Sequence, residues 1–165
     1  MTLTRFATGT DTSREFRDAL GRFATGVTIV TCYSRLGPLG ITANSFASVS
    51  LEPPLVLWSP AKSSRRFEAF VEATDFAIHI LRDDQTDLCD RFSTEGLDFN
   101  GLNWATNDAN VPLIEDVLAR FECTRHAVHE GGDHAIVVGR VTQAAFSDGN
   151  PMVFSKGRYG AFRDS

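Results

Sequence analysis

The chain has 165 residues, 42% of them hydrophobic and 22% charged. That is enough for one globular core and excludes a disordered chain. Its 16 Lys and Arg against 21 Asp and Glu leave a net charge of −5, which argues against a protein that neutralises a nucleic-acid backbone but permits a local basic site for one small anion. No apolar run approaches the roughly 20 residues of a membrane helix. The polar stretch Met1–Asp11 has no hydrophobic segment of the signal-peptide kind, so a cytoplasmic location is expected. Cys32, Cys89 and Cys123 are too scattered for a disulfide framework and read as buried free thiols.

Residues 1–11 read as a flexible tail and 12–165 as one domain. Thr12 and Glu15 have the spacing of a capping box. Behind them Phe16, Ala19, Leu20, Phe23 and Ala24 share a helical face, and the helix is expected to end near Thr25-Gly26. Val27–Tyr33 reads as a strand, Gly37-Pro38-Leu39-Gly40 as a turn, and about Leu39–Ser48 as a strand returning in a hairpin. Pro53-Pro54 interrupts, and Leu55–Trp58 resumes as a buried strand. A second helix opens at Pro60–Ser64 and turns Phe67, Phe70 and Val71 inward. Phe76, Ile78 and Ile80 alternate as a strand, with His79 on its other face. Asp83 is the expected cap of a third helix carrying Leu88, Cys89 and Phe92.

Ser93–Asn110 is rich in Gly, Asn, Asp and Thr and reads as a long excursion of the kind that often carries function. Val117–His129 and His134–Ala145 are long strands joined at Glu130–Asp133. Met152–Ser155 and Arg158–Phe162 are short final strands around Lys156-Gly157. About seven strands, mostly joined by hairpins, with three short helices predict a mainly β (α+β) fold. A closed antiparallel barrel is favoured over a doubly wound parallel sheet.

The chemistry concentrates in a few places. Gly131-Gly132-Asp133-His134 sets an ionisable imidazole where a tight turn re-enters a strand. Such a ring can reach a cleft or simply face solvent. Far upstream, Thr42–Ser50 is crowded with small hydroxyl and amide side chains where a core strand would carry Val and Ile. As a regular strand it would put Asn44, Phe46, Ser48 and Ser50 on one face and Ala43, Ser45, Ala47 and Val49 on the other. Small side chains let a flat heteroaromatic ring approach the backbone, although an edge strand at a subunit boundary has the same pattern. Lys62-Ser63-Ser64-Arg65-Arg66 at a helix start suits a phosphate, or equally a Ser cap before a solvated basic face.

Cys123, His126, His129 and His134 lie close in sequence. On a regular strand Cys123 and His129 share a face and His126 opposes them, so four ligands converge only through a bulge. No Cys-x-x-Cys pair is present either, and no metal is expected. The Gly-x-Ser-x-Gly elbow, the Gly-x-Gly-x-x-Gly fingerprint and the phosphate-binding Gly-rich loop ending in Lys are all absent. A flavin or nicotinamide would therefore bind without a Rossmann unit.

Taken in order, Phe23 to Thr31, Asn44 to Leu57, Lys62-Ser63-Ser64-Arg65, Arg91-Phe92, Gly131 to His134 and Arg158-Tyr159-Gly160 resemble the flavin reductase-like family. These are the small reductase components of two-component flavin monooxygenases. The resemblance runs from about Phe16 to Phe162 and is strongest to reductases that feed aromatic-ring or steroid-ring hydroxylases. It implies a homodimeric split β-barrel that binds FMN or FAD and reduces it with NADH or NADPH, the reduced flavin diffusing to a separate oxygenase.

By position, the resemblance implies that Asn44, Ser45, Ser48, Val49 and Ser50 line the isoalloxazine and ribityl chain. It implies Ser63, Ser64 and Arg65 at the phosphate, with backbone contacts from Thr25, Gly26, Val27 and Thr28. His134 would face the nicotinamide as the catalytic residue, with Tyr159 near the same cleft. Two departures stand out: Asp98-Phe99 where many relatives carry Lys-Phe, and His79 where many carry Asn. The first removes a positive charge near the flavin and leaves FMN versus FAD open. The same residues would also serve a flavin carrier or sensor with an idle His134, or an oxidase of the pyridoxamine-phosphate type that needs no nicotinamide.

Overall fold

A computed structural model describes residues 2–162. A 3₁₀ turn at Thr10–Thr12 leads into helix α1 (Ser13–Leu20), followed by strands β1 (Thr25–Gly26), β2 (Thr28–Ser34), β3 (Gly37–Ala43), β4 (Ala47–Leu51) and β5 (Pro54–Trp58). Helix α2 (Phe67–Glu72), β6 (Asp75–Ile80) and helix α3 (Thr86–Thr94) come next. Then follow β7 (Trp104–Thr106), β8 (Pro112–Ile114), the long hairpin of β9 (Ala119–Gly131) and β10 (His134–Phe146), and a last hairpin of β11 (Met152–Ser155) and β12 (Arg158–Ala161).

Seven strands make one antiparallel sheet in the order β3-β2-β6-β9-β10-β5-β4. Strands β1, β11 and β12 form a second sheet, and β7 with β8 a third. The large sheet rolls up because its inward residues are apolar on every strand. Leu39 from one end packs in a single cluster with Val56 and Trp58 from near the other, around Val30, Phe76, Ile78, Cys123 and Val137. Phe70 of α2 enters that cluster and meets Trp58 edge-on at 5.2 Å. The outermost strands β3 and β4 are joined through residues 44–46 and do not pair with each other, so the barrel is split, as the sequence resemblance implies.

A second core lies outside the barrel wall. Val27, Ile29, Leu81, Cys89, Phe92, Phe99, Ile114, Val117 and Met152 pack together there. They bind α3 and the excursion after it to the outer face of β2 and β6. Phe92 lies so close to β3 that a Cβ on Gly40 would come within 2.5 Å of its ring; only glycine fits at that rung.

Several local expectations are corrected. The Thr12 hydroxyl donates to Ala7 O (2.7 Å) and caps no helical amide, so the capping box does not form. The helix stops at Leu20, where Gly21 N–H bonds Arg17 O, well before Thr25. Its expected inward face is exposed, Phe23 to 78% and Leu20 to 59%. The first hairpin turns at Arg35-Leu36, and Gly37 to Gly40 already belong to β3. Strand β3 ends at Ala43 instead of running on to Ser48. Gln85, not Asp83, stands at the start of α3, its side chain accepting from Arg82 N–H at 2.8 Å. On β9 a bulge at His126 shifts the register between Val138–Ala127 and Gly139–Arg125. It turns His129 to the face opposite Cys123.

The excursion after α3 is held down by polar groups on the outer face of the sheet. Thr31 Oγ1 donates to Pro112 O (2.5 Å), and Asn107 Nδ2 to Glu122 Oε2 (2.8 Å). Fully buried His79 accepts from Ile114 N–H through Nε2 and donates from Nδ1 to Ile29 O, both at 3.0 Å. Both ring nitrogens are used, so the neutral tautomer is fixed. Burial, outweighing the bond to Ile29, lowers its pKa from 6.5 to about 4.

The unfolded chain takes up this proton as the pH falls below 6.5, whereas folded His79 stays neutral until about 4. The associated stability is complete above the upper value and is lost on acidification toward the lower one, by about 3 kcal/mol. Urea unfolding measured across that range checks this. In His79→Gln that part of the pH slope should vanish, while the neutral-pH midpoint falls.

Candidate functional site

Strand β5 does more than close the sheet. Past Trp58 the chain runs on as Ser59-Pro60-Ala61-Lys62 and stays pinned on both sides. On one side Ser59 N–H donates to Ser45 Oγ at 2.9 Å. On the other, Ala135 N–H donates to Pro60 O (3.1 Å), Lys62 N–H donates to Asp133 O (2.9 Å), and Ala61 bridges His134. Lys62 Nζ also pairs with Glu130 across the hairpin base. Three stretches of chain are thereby brought to one edge: the serine-rich run, the end of β5 with the basic turn that follows it, and the Gly-Gly-Asp-His turn.

The serine-rich run is not one regular strand. Asn44 to Phe46 leave the sheet, β4 begins only at Ala47, and the register shifts between Ser48 and Ser50. The expected two-face alternation from Asn44 to Ser50 is therefore broken twice. Phe46 turns inward to stack on Phe121 (5.6 Å), Ser45 holds Ser59, and Asn44, Ser48 and Val49 are exposed.

Ser63 and Ser64 do not sit on a helix start. Two successive turns carry residues 62–66, and α2 begins only at Phe67. Ser64 Oγ accepts from Arg66 N–H at 3.2 Å. Ser63, Ser64 and Arg65 wall a cavity of about 850 Å³, together with Tyr33, Leu36 and Leu39 on one side and Ser93 to Leu97 on the other. That volume lies within the usual range for small-molecule sites. His134 and residues 44–50 do not line the cavity; they reach it along Ser59–Lys62.

Arg66 belongs to the basic run by sequence, but its guanidinium is already committed. It donates to Gly40 O (3.0 Å), Phe92 O (2.7 Å) and Ser93 O (3.1 Å). Two of those carbonyls end α3, where helical partners run out. Sequence reasoning missed this role: Arg66 lies 26 residues from Phe92, and no local pattern joins them.

Thr25 to Thr28 lie between this edge and the small sheet. Thr25 pairs with Phe154, which pairs with Tyr159. Gly26 is exposed, Val27 is buried and accepts from Leu81 N–H (3.0 Å), and Thr28 Oγ1 donates to Ala43 O (2.8 Å) beside Asn44. The Thr25 hydroxyl is buried with no hydrogen-bond partner among the described residues. Tyr159 packs on Phe154 at 5.2 Å. The neighbouring Cys89 thiol, and burial after it, push the Tyr159 hydroxyl up to about 12, so it stays a donor. Ser93, beside the same hydroxyl, lines the cavity. Contacts and chain continuity thus trace a ring from Tyr159 through Thr25, Asn44, Ser59 and His134 to Ser63, which lines the cavity with Ser93.

In the excursion, Asp98 pairs with Arg91 (3.9 Å) and Phe99 packs edge-on against Phe92 (5.0 Å). The Asp98 charge is thus answered within its own segment. No group of three His, Cys, Asp or Glu among the described residues is arranged to hold a metal ion, and no helix among them is long and apolar enough to cross a membrane.

A split antiparallel barrel with a hydroxyl-rich edge, an arginine-walled cavity and an imidazole at the same edge suits a protein that holds a planar, phosphate-bearing ligand. Similarity to known proteins gives the class. The sequence model of the "Flavin reductase like domain" matches residues 20–163, and the chain belongs to that flavin reductase-like family.

Among its relatives, the FMN reductase (NADH) SmoA of Agrobacterium fabrum is 58% identical over 95% of this chain and 90% of its own length. The reductase subunit HsaB of a flavin-dependent monooxygenase from Rhodococcus jostii is 38% identical over 88% of this chain and 76% of its own. The solved Streptomyces globisporus NADH:FAD oxidoreductase SgcE6 superposes with a TM-score of 0.89, at 33% identity, over 100% of this chain and 96% of that one.

The protein is an NAD(P)H:flavin oxidoreductase that reduces FMN or FAD and supplies it to a separate monooxygenase component. The donor set suits such a ligand. Orphaned Thr25 Oγ1, the exposed serines and Arg65 offer hydrogen bonds and one cation without a competing metal cluster among the described residues.

Replacing Arg66 with Ala should lower stability by about 3 kcal/mol, because three carbonyls lose a charged donor at once. Arg66→Lys should recover only part, since one ammonium lacks the planar fork. Thermal or urea unfolding of the two variants reads the difference.

Proposed function

We propose that flavin lies along the ring of contacts just described and that His134 meets the nicotinamide at its edge. Asn44, Ser45, Ser48, Val49 and Ser50 would line the isoalloxazine and ribityl chain, Thr25 to Thr28 would contribute backbone contacts and the Thr25 hydroxyl, and Ser63, Ser64 and Arg65 would hold the phosphate. Tyr159 closes the far side. The observation that carries this reading is the pinning of Ser59–Lys62 between Ser45 and the Asp133-His134 turn.

When bound, flavin and nicotinamide carry the hydride chemistry themselves. The chain's task is to hold the two ligands and keep water out. His134 would hold the nicotinamide carboxamide through Nε2, and Arg65 would answer the phosphate charge. In a carrier or sensor the same residues would bind flavin, but His134 would have nothing to position; an oxidase would need no nicotinamide.

Further parts of the reading concern assembly and setting. Helix α1 buries none of its own residues, and β4 is exposed at Ala47 to Val49, with Leu51 94% exposed. A second copy of this chain covering these surfaces would complete the site as a homodimer. Residues 12–165 form the catalytic domain, with 1–11 as a tail outside it, in a cytoplasmic protein. Its oxygenase partner hydroxylates an aromatic or steroid ring, a choice supported by the motif resemblance.

Air-free mixing with NADH and excess FMN or FAD should bleach the oxidised-flavin absorbance. His134→Ala should cut kcat/KM for NADH by about tenfold while flavin affinity stays within about twofold. A parental rate in that variant sinks the role. Ser64→Ala with Arg65→Ala should weaken FMN binding by about tenfold, the equivalent of roughly 1.4 kcal/mol. Sedimentation should give a dimer that Leu20→Asp with Phe23→Asp dissociates.

A further inference from the structure

The His134 ring has a partner that the flavin reading does not use. Its Nδ1 lies 2.7 Å from Asp133 Oδ1. A carboxylate can only accept, so Nδ1 carries a proton, and in the neutral ring Nε2 keeps a lone pair. The hydrogen bond to His134 holds the Asp133 carboxyl below the usual carboxylate range, so it stays ionised at neutral pH.

The backbone beneath the pair is fixed on both sides. Lys62 N–H holds Asp133 O, Ala135 N–H holds Pro60 O, and Ala61 bridges His134. The neighbouring cation, Lys62 Nζ, is taken up by Glu130. What remains adjustable is the imidazole itself. With 44% of its side chain exposed, such a ring would ordinarily sample several rotamers and both neutral tautomers. A charge-assisted hydrogen bond from the preceding residue selects one of each. Nicotinamide's carboxamide offers an N–H donor, and only a ring with Nε2 unprotonated accepts it.

We propose that Asp133 is a positioning residue of this reductase, holding His134 as the Nδ1–H tautomer so that Nε2 accepts from the nicotinamide carboxamide. The inference rests on the role given to His134 above. The residue acts through the imidazole and touches neither ligand.

The test has one readout without turnover and one with it. In flavin-free protein with ¹⁵N-labelled histidine at about pH 8, where imidazole is ordinarily neutral, the parent chain should show His134 with its proton on Nδ1. Asp133→Asn, whose amide can donate as well as accept, should shift the ring toward the Nε2–H form. In turnover, Asp133→Asn should raise KM for NADH about five- to tenfold with kcat within about twofold, a loss of binding shared by ground and transition states. Asp133→Glu should bring both readouts back toward the parent.

If Asp133→Asn keeps the parental tautomer and KM while His134→Ala loses activity, Asp133 positions nothing and the inference is overturned, with the His134 reading intact. If His134→Ala reduces flavin at the parental rate, the underlying reading is overturned and this one falls with it, whatever the tautomer spectrum shows.

Discussion

The site depends on a strand that keeps its hydrogen bonds after it has ceased to be a strand. Trp58 ends β5 deep in the barrel core, and that anchor fixes where Ser59 emerges. From there the backbone is held by two neighbours: Ser59 by Ser45, and Pro60 and Lys62 by the segment Asp133 to Ala135. Individually such bonds contribute about 1 kcal/mol. Together they fix the serine run and the imidazole relative to the barrel core. Loops connected only by solvent could not hold two ligands at contact distance, since catalytic geometry tolerates errors well below 1 Å.

The architecture divides holding from exposure. Apolar residues fill the barrel and the second core around Phe92, and each touches the functional edge only at its margin, through Leu39 and Phe46 of the first and Val27 and Phe154 of the second. Polar groups with demanding partners are placed on the opposite, covered face of the sheet, where His79, Thr31 and Glu122 clamp the excursion. The excursion was expected to carry function because of its length and composition. Its first residues, Ser93 to Leu97, do wall the cavity, whereas farther on Asn107 bonds Glu122 of the sheet, Asn103 bonds Asp116, and Trp104 and Phe99 pack on each other at 5.1 Å. A long segment can be rich in turn residues because it must wrap a curved surface without forming long strands.

What was legible in the sequence follows from periodicity. Strands with alternating apolar residues, such as β6 with Phe76 and Ile78 turned into the barrel and His79 on its other, also covered face, stand where alternation puts them. The hairpin of β9 and β10 turns at Gly132-Asp133, and Gly132 has the positive φ (78°) that favours glycine. The illegible features lack a local cause. The bulge at His126 sits opposite Gly139, whose space is taken by the Phe76 ring across the barrel; nothing near His126 announces it. The break at Asn44 hides among residues too small to show a period. The extent of α1 was overread because Phe23 and Ala24 continue its apolar stripe, while Gly21 ends its hydrogen bonding.

That stripe points to the remaining physical tension. A helix of eight residues is too short to be stable by propensity alone, and α1 is tethered chiefly through its end, where Gly21 O accepts from Lys156 N–H (2.8 Å) and Ser155 Oγ (3.3 Å). Its apolar side faces away from both cores. Meanwhile β4 presents an open sheet edge, normally a liability that proteins cover or blunt, and this one carries Val49 and Leu51 outward. Both features lie on elements that flank the ring of site contacts: α1 touches the β11–β12 turn and leads into Thr25, and β4 follows Asn44 and Ser45. The second copy of the chain proposed above would cover both features and wall in the proposed flavin site, which the single chain leaves open on that side.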